Sequence, residues 1–175
     1  MNPLTQNVNF FLAALTVASQ IGAVLGALFF FPAVKKAVSK NYLKLALTVA
    51  LTATLGSLFY SEIASFTPCK LCWFERIFMY PQVVLFGIAM WKKDTKIWIY
   101  SLSLSIIGAF ISFYHYLLQI GILPAGSCDA VGRSVSCSKV FVMTFGYITI
   151  PLMAGTAFAL LILLALAVKK GTKNS

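Results

Sequence analysis

Five apolar stretches, each long enough to cross a lipid bilayer, leave this chain few ways to fold. They cover residues 8–31, 43–66, 73–91, 97–120 and 141–168. A hydrocarbon core of roughly 30 Å needs about 20 helical residues. Lipid offers backbone amides no partner, so each stretch must satisfy its own hydrogen bonds as a helix. The chain of 175 residues is 60% hydrophobic and has only four acidic residues, which excludes an ordinary soluble domain. The expectation is an all-α integral membrane protein with five spans. The first stretch reads as a retained helix and not a signal peptide. No Lys or Arg precedes it, it is longer than an h-region, and no A-x-A site follows it.

The net charge of +10 would point to nucleic acid in a soluble protein. Here the basic residues fall between the apolar stretches and read as topology. Lys35, Lys36, Lys40, Lys44, Lys92, Lys93, Lys96, Lys169, Lys170 and Lys173 fall in alternate connections. The opposite set holds only Lys70, Arg76, Arg133 and Lys139. The positive-inside rule then puts the N-terminus outside and the C-terminus in the cytoplasm.

That orientation places all four cysteines, Cys69, Cys72, Cys128 and Cys137, in two outer loops and none inside a helix. Their number and side fit an oxidising compartment. Two structural disulfides or a four-thiolate zinc site would also use four cysteines. However, a Cys-x-x-Cys bridge closes too small a loop to stabilise much, and Cys-x-x-Cys with Cys-x8-Cys is not a usual zinc spacing. In Pro68-Cys-Lys-Leu-Cys-Trp-Phe-Glu-Arg76 the second cysteine meets the start of the third span. Free N–H groups, the helix dipole and Arg76 one turn on all favour an anionic sulfur at Cys72. Cys69 is left freer for exchange.

Counting about 1.5 Å per residue from the lysines puts Glu62, Glu75, Arg76, His115 and Gln119 near one level, at the outer edge of the hydrocarbon. Intramembrane ionisable residues are functional candidates. Glu62 reads as reaching headgroups. Arg76 and His115 gain weight because both lie level with the thiols, and Gln119 shares the His115 face. A dithiol, a cation and a hydrogen-bond donor beside lipid suit a quinone, whose ring needs polar partners while its tail needs acyl chains. Pro81 and Pro151 are expected to kink their helices.

Several motifs together resemble one known family. They are Ser57-Leu-Phe-Tyr-Ser-Glu62, the Pro68–Pro81 stretch, Ile107-Gly-Ala-Phe-Ile-Ser-Phe-Tyr-His115, Ser136-Cys-Ser138 and Phe145-Gly-Tyr-Ile-Thr-Ile-Pro151. In order and over about residues 43–168, they resemble the bacterial disulfide-bond formation protein B (DsbB) family, nearest its BdbC-type branch. The resemblance implies a four-helix transmembrane bundle at 42–175, with residues 1–41 holding an additional N-terminal helix and a cytoplasmic loop. It implies a quinone-dependent protein disulfide oxidoreductase of the bacterial cytoplasmic membrane. Its partner would be a soluble DsbA-like thioredoxin-fold protein and its cofactor ubiquinone or menaquinone. Cys69–Cys72 would be the quinone-proximal disulfide, with Cys72, Arg76 and His115 toward the quinone. Cys128–Cys137 would be the outer disulfide, with Cys128 taking the partner and Cys137 exchanging with Cys69.

Two features depart from the family pattern. The first helix is additional to the four-helix core, and only eight residues separate Cys128 from Cys137. Two other readings stay open. Vitamin K epoxide reductase-like proteins also join a helical bundle to Cys-x-x-Cys and quinone, but late in the bundle, whereas here the motif opens the third span. A non-enzymatic protein with structural or zinc-binding cysteines is the other.

Overall fold

The computed structural model describes residues 3–28, 38–124 and 136–172. The readings made for Cys128 and Arg133, including the Cys128–Cys137 pair, lie outside these residues. The described chain is all-α, with five helices long and apolar enough to cross a membrane. They are α1 (Pro3–Leu28), α2 (Tyr42–Leu58), α3 (Lys70–Lys92), α4 (Trp98–Gln119) and α5 (Ile150–Thr172). Among the described residues the nearest thing to a strand is an isolated bridge between Thr144 and Ile148.

Helices α2 to α5 form an antiparallel bundle. The lysine-bearing connections lie at one end, where Lys169 Nζ sits 5.9 Å from the Trp98 ring centre. Cys69, Cys72 and Cys137 lie at the other. The core is built from one face of each helix, with Tyr42, Ala46, Ala50, Phe86, Phe158 and Leu161 all buried. The outward faces carry exposed apolar side chains, such as Phe110, Phe113 and Val84, which in lipid are solvated and not stranded. The broadest contact is between α4 and α5. Gly108 lets Phe158 lie directly on the α4 backbone, since a Cβ at that position would overlap the ring.

A polar bond crosses the bundle between α3 and α4. Buried Gln82 accepts from Ser101 Oγ at 2.8 Å and Ser105 Oγ at 3.2 Å, while its Nε2 donates to the Phe78 carbonyl at 2.9 Å. Every polar atom of that amide is thereby used in a region without water.

The helix ends differ from expectation in three places, each for a local reason. First, α3 begins at Lys70, so Cys72 lies in its first turn and not in a loop. Pro68 holds the preceding chain extended, and extended Cys69 is the N-cap, its sulfur accepting from the Cys72 N–H at 3.5 Å. Second, α5 begins at Ile150, so residues 141–149 are not part of the fifth span. Thr144 and Ile148 exchange two 2.9 Å backbone hydrogen bonds around a tight turn. Phe145 and Gly146 take positive φ there, 54° and 78°, which a helix cannot accommodate. Third, Pro151 therefore sits in the first turn of α5, where its missing N–H costs nothing and no kink is needed. Pro81, by contrast, is inside α3.

Helix α1 packs against α5. Gln20 Nε2 donates to Thr156 Oγ1 at 2.9 Å, and the Phe10 and Phe145 rings lie 5.8 Å apart. Its Leu12 would be 3.4 Å from a Cβ at Gly56 on α2, an ordinary close fit.

Gly108→Val should overpack the α4–α5 interface and destabilise the bundle by about 1–3 kcal/mol. Unfolding in detergent measures this, and Gly22→Val, where a Cβ meets nothing within 4 Å, should move stability much less.

Candidate redox site

The site is built where the N-terminus of α3 meets the cysteine end of α4. Cys69 and Cys72 are held one helical turn apart by the cap, with their sulfurs 3.3 Å from each other. That is a dithiol separation, well beyond the roughly 2.05 Å of a disulfide bond. Cys69 is buried and Cys72 half-buried.

The two sulfurs face different neighbours. Cys69 belongs with Cys137 and Leu118 to one small buried cluster, bordered by Leu71, Cys72 and Leu123. Cys72 lines a partly open cavity of about 290 Å³ between α1, α2, α3 and α5. The pair therefore stands between Cys137 and that cavity.

Behind Cys69 lies a buried polar chain. His115 Nε2 is 3.5 Å from Cys69 Sγ, and His115 Nδ1 is 3.0 Å from Glu75 Oε1. Glu75 and His115 are 6% and 1% exposed, so neither could remain here without the other. A neutral imidazole whose Nδ1–H donates to the carboxylate presents its Nε2 lone pair to the Cys69 thiol. Hydrogen bonding to Cys72 and burial push the Cys69 thiol up to about 12, with His115 pulling the other way. Reduced Cys69 thus keeps its proton at neutral pH, and His115 is the group beside it that can accept it. The arrangement also brings Cys69 Sγ, Cys72 Sγ and a His115 nitrogen within 4.8 Å of one another, close enough to ligate one metal ion.

Arg76 is fixed on the cavity side. Its Nε donates to Ser57 Oγ at 3.1 Å and its Nη2 to the Ser57 carbonyl at 3.3 Å. Tyr80, one turn further along α3, donates to the same Ser57 hydroxyl at 3.2 Å. The guanidinium also lies 5.3 Å from the Trp73 ring centre, within cation–π range. Tyr60, Phe66 and Phe141 close the cysteine end of the cavity as a run of stacked rings, with centres 5.9 and 5.0 Å apart.

The sequence-derived candidates therefore divide into two groups. Cys72 and Arg76 share the cavity face of α3, as their spacing implied. His115 meets Cys69 and Glu75, and is not among the cavity-lining residues. Gln119 also lies away from the cavity, donating to the Lys139 carbonyl at 3.2 Å. Glu62 is exposed and accepts from Ser61 at 3.0 Å. Sequence reasoning missed Ser57 and Tyr80 as the clamp on Arg76. The four-residue step from Arg76 to Tyr80 was the available signal, whereas nothing local pointed to Ser57.

In the reduced protein, alkylation of Cys69 should keep rising with pH beyond 9 and show no plateau at lower pH. His115→Phe removes the opposing contact and should slow that alkylation further, by about tenfold for each pKa unit gained. Mass spectrometry of the 69–72 peptide after timed alkylation reads both effects.

Comparison with known proteins gives a consistent result. The family model described as "Disulfide bond formation protein DsbB" matches residues 39–168. The chain is 47% identical to disulfide bond formation protein C of Bacillus subtilis (strain 168) over 131 residues, covering 72% of this chain and 90% of that protein. It is 43% identical to a probable disulfide formation protein of Oceanobacillus iheyensis over 133 residues, covering 74% and 90%. It is 50% identical to probable disulfide formation protein C 1 of Bacillus anthracis over 106 residues, covering 61% and 76%. No solved structure matches. The matched region begins after α1, which lies ahead of it. The Cys-x-x-Cys at the head of α3 and the bundle that buries it thus belong to a membrane disulfide oxidoreductase of the DsbB family, whose members similar to this chain include disulfide bond formation protein C.

Proposed function

We propose that this protein reoxidises a soluble extracytoplasmic thioredoxin-fold dithiol protein and passes the electrons through two cysteine pairs to a membrane quinone. It would thereby support disulfide formation in exported proteins from the bacterial cytoplasmic membrane, with its N-terminus outside. One observation carries the reading: Cys69 is buried in one small cluster with Cys137 and Leu118, while Cys72 of the same pair, at the border of that cluster, also lines the cavity. A relay needs that two-sided placement, and a loop staple does not.

The cavity suits an acceptor with a polar head and an apolar tail. Near Cys72 it presents Arg76 and Tyr80. Farther along, its hydroxyls are spent on their own helices, with Thr16 on the Leu12 carbonyl, Thr48 on Lys44 and Thr156 on Leu152. Glu75 also lines the cavity, and most of the remaining wall is apolar. The Thr48–Ser57 stretch of α2 along it spans roughly 13 Å at the helical rise. A bound quinone would supply the two-electron acceptor for the thiols.

The thiol chemistry follows from the neighbours. A partner thiolate attacks the Cys128–Cys137 disulfide at Cys128 and releases the Cys137 thiolate. That thiolate attacks Cys69 Sγ of the oxidised Cys69–Cys72 pair, and Cys72 leaves as a thiolate at the first turn of α3, where free N–H groups favour an anion. The partner's second thiolate completes its own disulfide and releases Cys128. Cys128 then displaces Cys69 from Cys137, which restores the outer disulfide and leaves Cys69 and Cys72 reduced. Reduced Cys69 keeps its proton, and His115 Nε2 accepts it when Cys69 closes again on Cys72, as two electrons leave the pair on the cavity side. Arg76, held by Ser57, keeps a fixed positive charge beside Cys72. About 30 mV between successive couples corresponds to roughly 1.4 kcal/mol for two electrons, so the acceptor's potential limits how oxidised the partner can be kept.

A zinc-binding reading has one observation in its favour, the close Cys69, Cys72 and His115 atoms with Glu75 behind the imidazole. Metal analysis of the purified protein separates the two readings. Stoichiometric zinc with cysteines that never change redox state would favour it.

The purified protein should reduce a quinone analogue when given a reduced thioredoxin-fold partner, and Cys72→Ser should abolish turnover. Full activity in that variant would refute the relay. Cys137→Ser should accumulate a mixed disulfide between Cys128 and the partner, seen by non-reducing gel and mass spectrometry. Absence of any Cys128-linked adduct would remove that step.

A further inference from the structure

The geometry points to α1 as a wall of the acceptor site that selects for the tail of the bound molecule, an inference resting on the reading of the cavity as the acceptor site. Helix α1 lies outside the region shared with the family, yet Leu12, Leu15, Thr16 and Ser19 all line the same cavity as Cys72 and Arg76. These four residues recur at helical spacing, so they form one continuous stripe of α1. The opposite face, including Ile21 and Val24, is exposed and apolar, as a lipid-facing surface would be.

Two contacts hold the stripe in place. Leu12 lies against Gly56 of α2 near the cysteine end. Gln20 bonds Thr156 of α5 at the other. Helices α2 and α5 supply the flanking walls through residues such as Thr48, Thr52, Ala157 and Leu160. Helix α1 therefore lies along the gap between them and covers part of a groove that stays open on one side. The long axis of that space runs from Cys72 and Arg76, past Leu12, toward Ser19.

Position along the axis assigns the roles. Leu12 is near the polar head, whereas Ser19 is more than a full turn farther along and faces the apolar part. The Ser19 hydroxyl is already bonded to the Thr16 carbonyl at 2.8 Å, so Ser19 offers the cavity a small, satisfied surface. Such a surface accommodates an isoprenoid chain. It is a steric gauge for the tail and makes no contact with the reacting atoms.

The test uses the full-length protein in detergent or vesicles. A quinone carrying a photoreactive azide on its isoprenoid tail should label the α1 peptide that contains residues 12–19 in the unmodified protein. Ser19→Phe should raise KM for a long-tailed quinone by about tenfold or more, the order expected when a few methylene-sized contacts are lost. Its kcat and its KM for a tail-less analogue should stay within about twofold, well below that discrimination. Val24→Phe, on the lipid-facing side, should change neither. Quinone reduction with no label on α1, or parallel KM shifts for tailed and tail-less quinones, would overturn the α1 assignment while leaving the acceptor reading intact. A wild-type protein that neither reduces nor is labelled by any quinone would overturn both.

Discussion

A buried carboxylate and a buried imidazole, 3.0 Å apart in a membrane protein, are the interaction on which the site depends. Glu75 is on α3 and His115 on α4, and each would be costly to bury alone. Their pairing holds the cysteine ends of those helices in one register. It also directs the second ring nitrogen of His115 at Cys69, so the interaction that joins the helices also serves the thiol. Gln82 with Ser101 and Ser105 repeats the principle deeper in the bundle, without ionisable groups.

The site gives two adjacent sulfurs different surroundings. Cys69, as the cap of α3, is buried beside the cluster that contains Cys137. Cys72, three residues on, has its sulfur 3.3 Å from that of Cys69, borders the same cluster and also lines the cavity. A single turn of helix thus spans the distance from the Cys137 cluster to the cavity. The clamp of Arg76 by Ser57 keeps the charge beside Cys72 from reaching out to the headgroups, as an unheld Arg near a helix end would do.

Much of this was legible in the residues. Apolar length alone predicts all five helices, because lipid forbids any other way of satisfying the backbone. The Cys72–Arg76 spacing predicts their common face, and counting from the lysines brings Glu75, Arg76 and His115 to one level. The errors arise where apolarity and helicity part company. Residues 141–149 are apolar enough to span, yet Gly146 at positive φ and the Thr144–Ile148 bridge turn the chain before Pro151 can begin α5. At the head of α3 the error runs the other way. Polar Lys70 hid a helix that Pro68 and the Cys69 cap start earlier than hydropathy suggests.

The sequence by itself determined the class, the helix count and the place of the Cys-x-x-Cys pair, since these rest on local composition and spacing, and its motifs resembled those of the family. Only the tertiary structure decided which side chains share a wall. Ser57 meets Arg76 across 19 positions, Cys69 meets His115 across 46, and Gln20 meets Thr156 across 136. Contacts of that kind depend on how helix faces are rotated against one another. A mostly apolar helix surface specifies that rotation weakly, and packing of small and large residues, such as Gly108 on Phe158, settles it. The additional first helix had no role in the sequence, and its packing makes it part of the cavity that Cys72 faces.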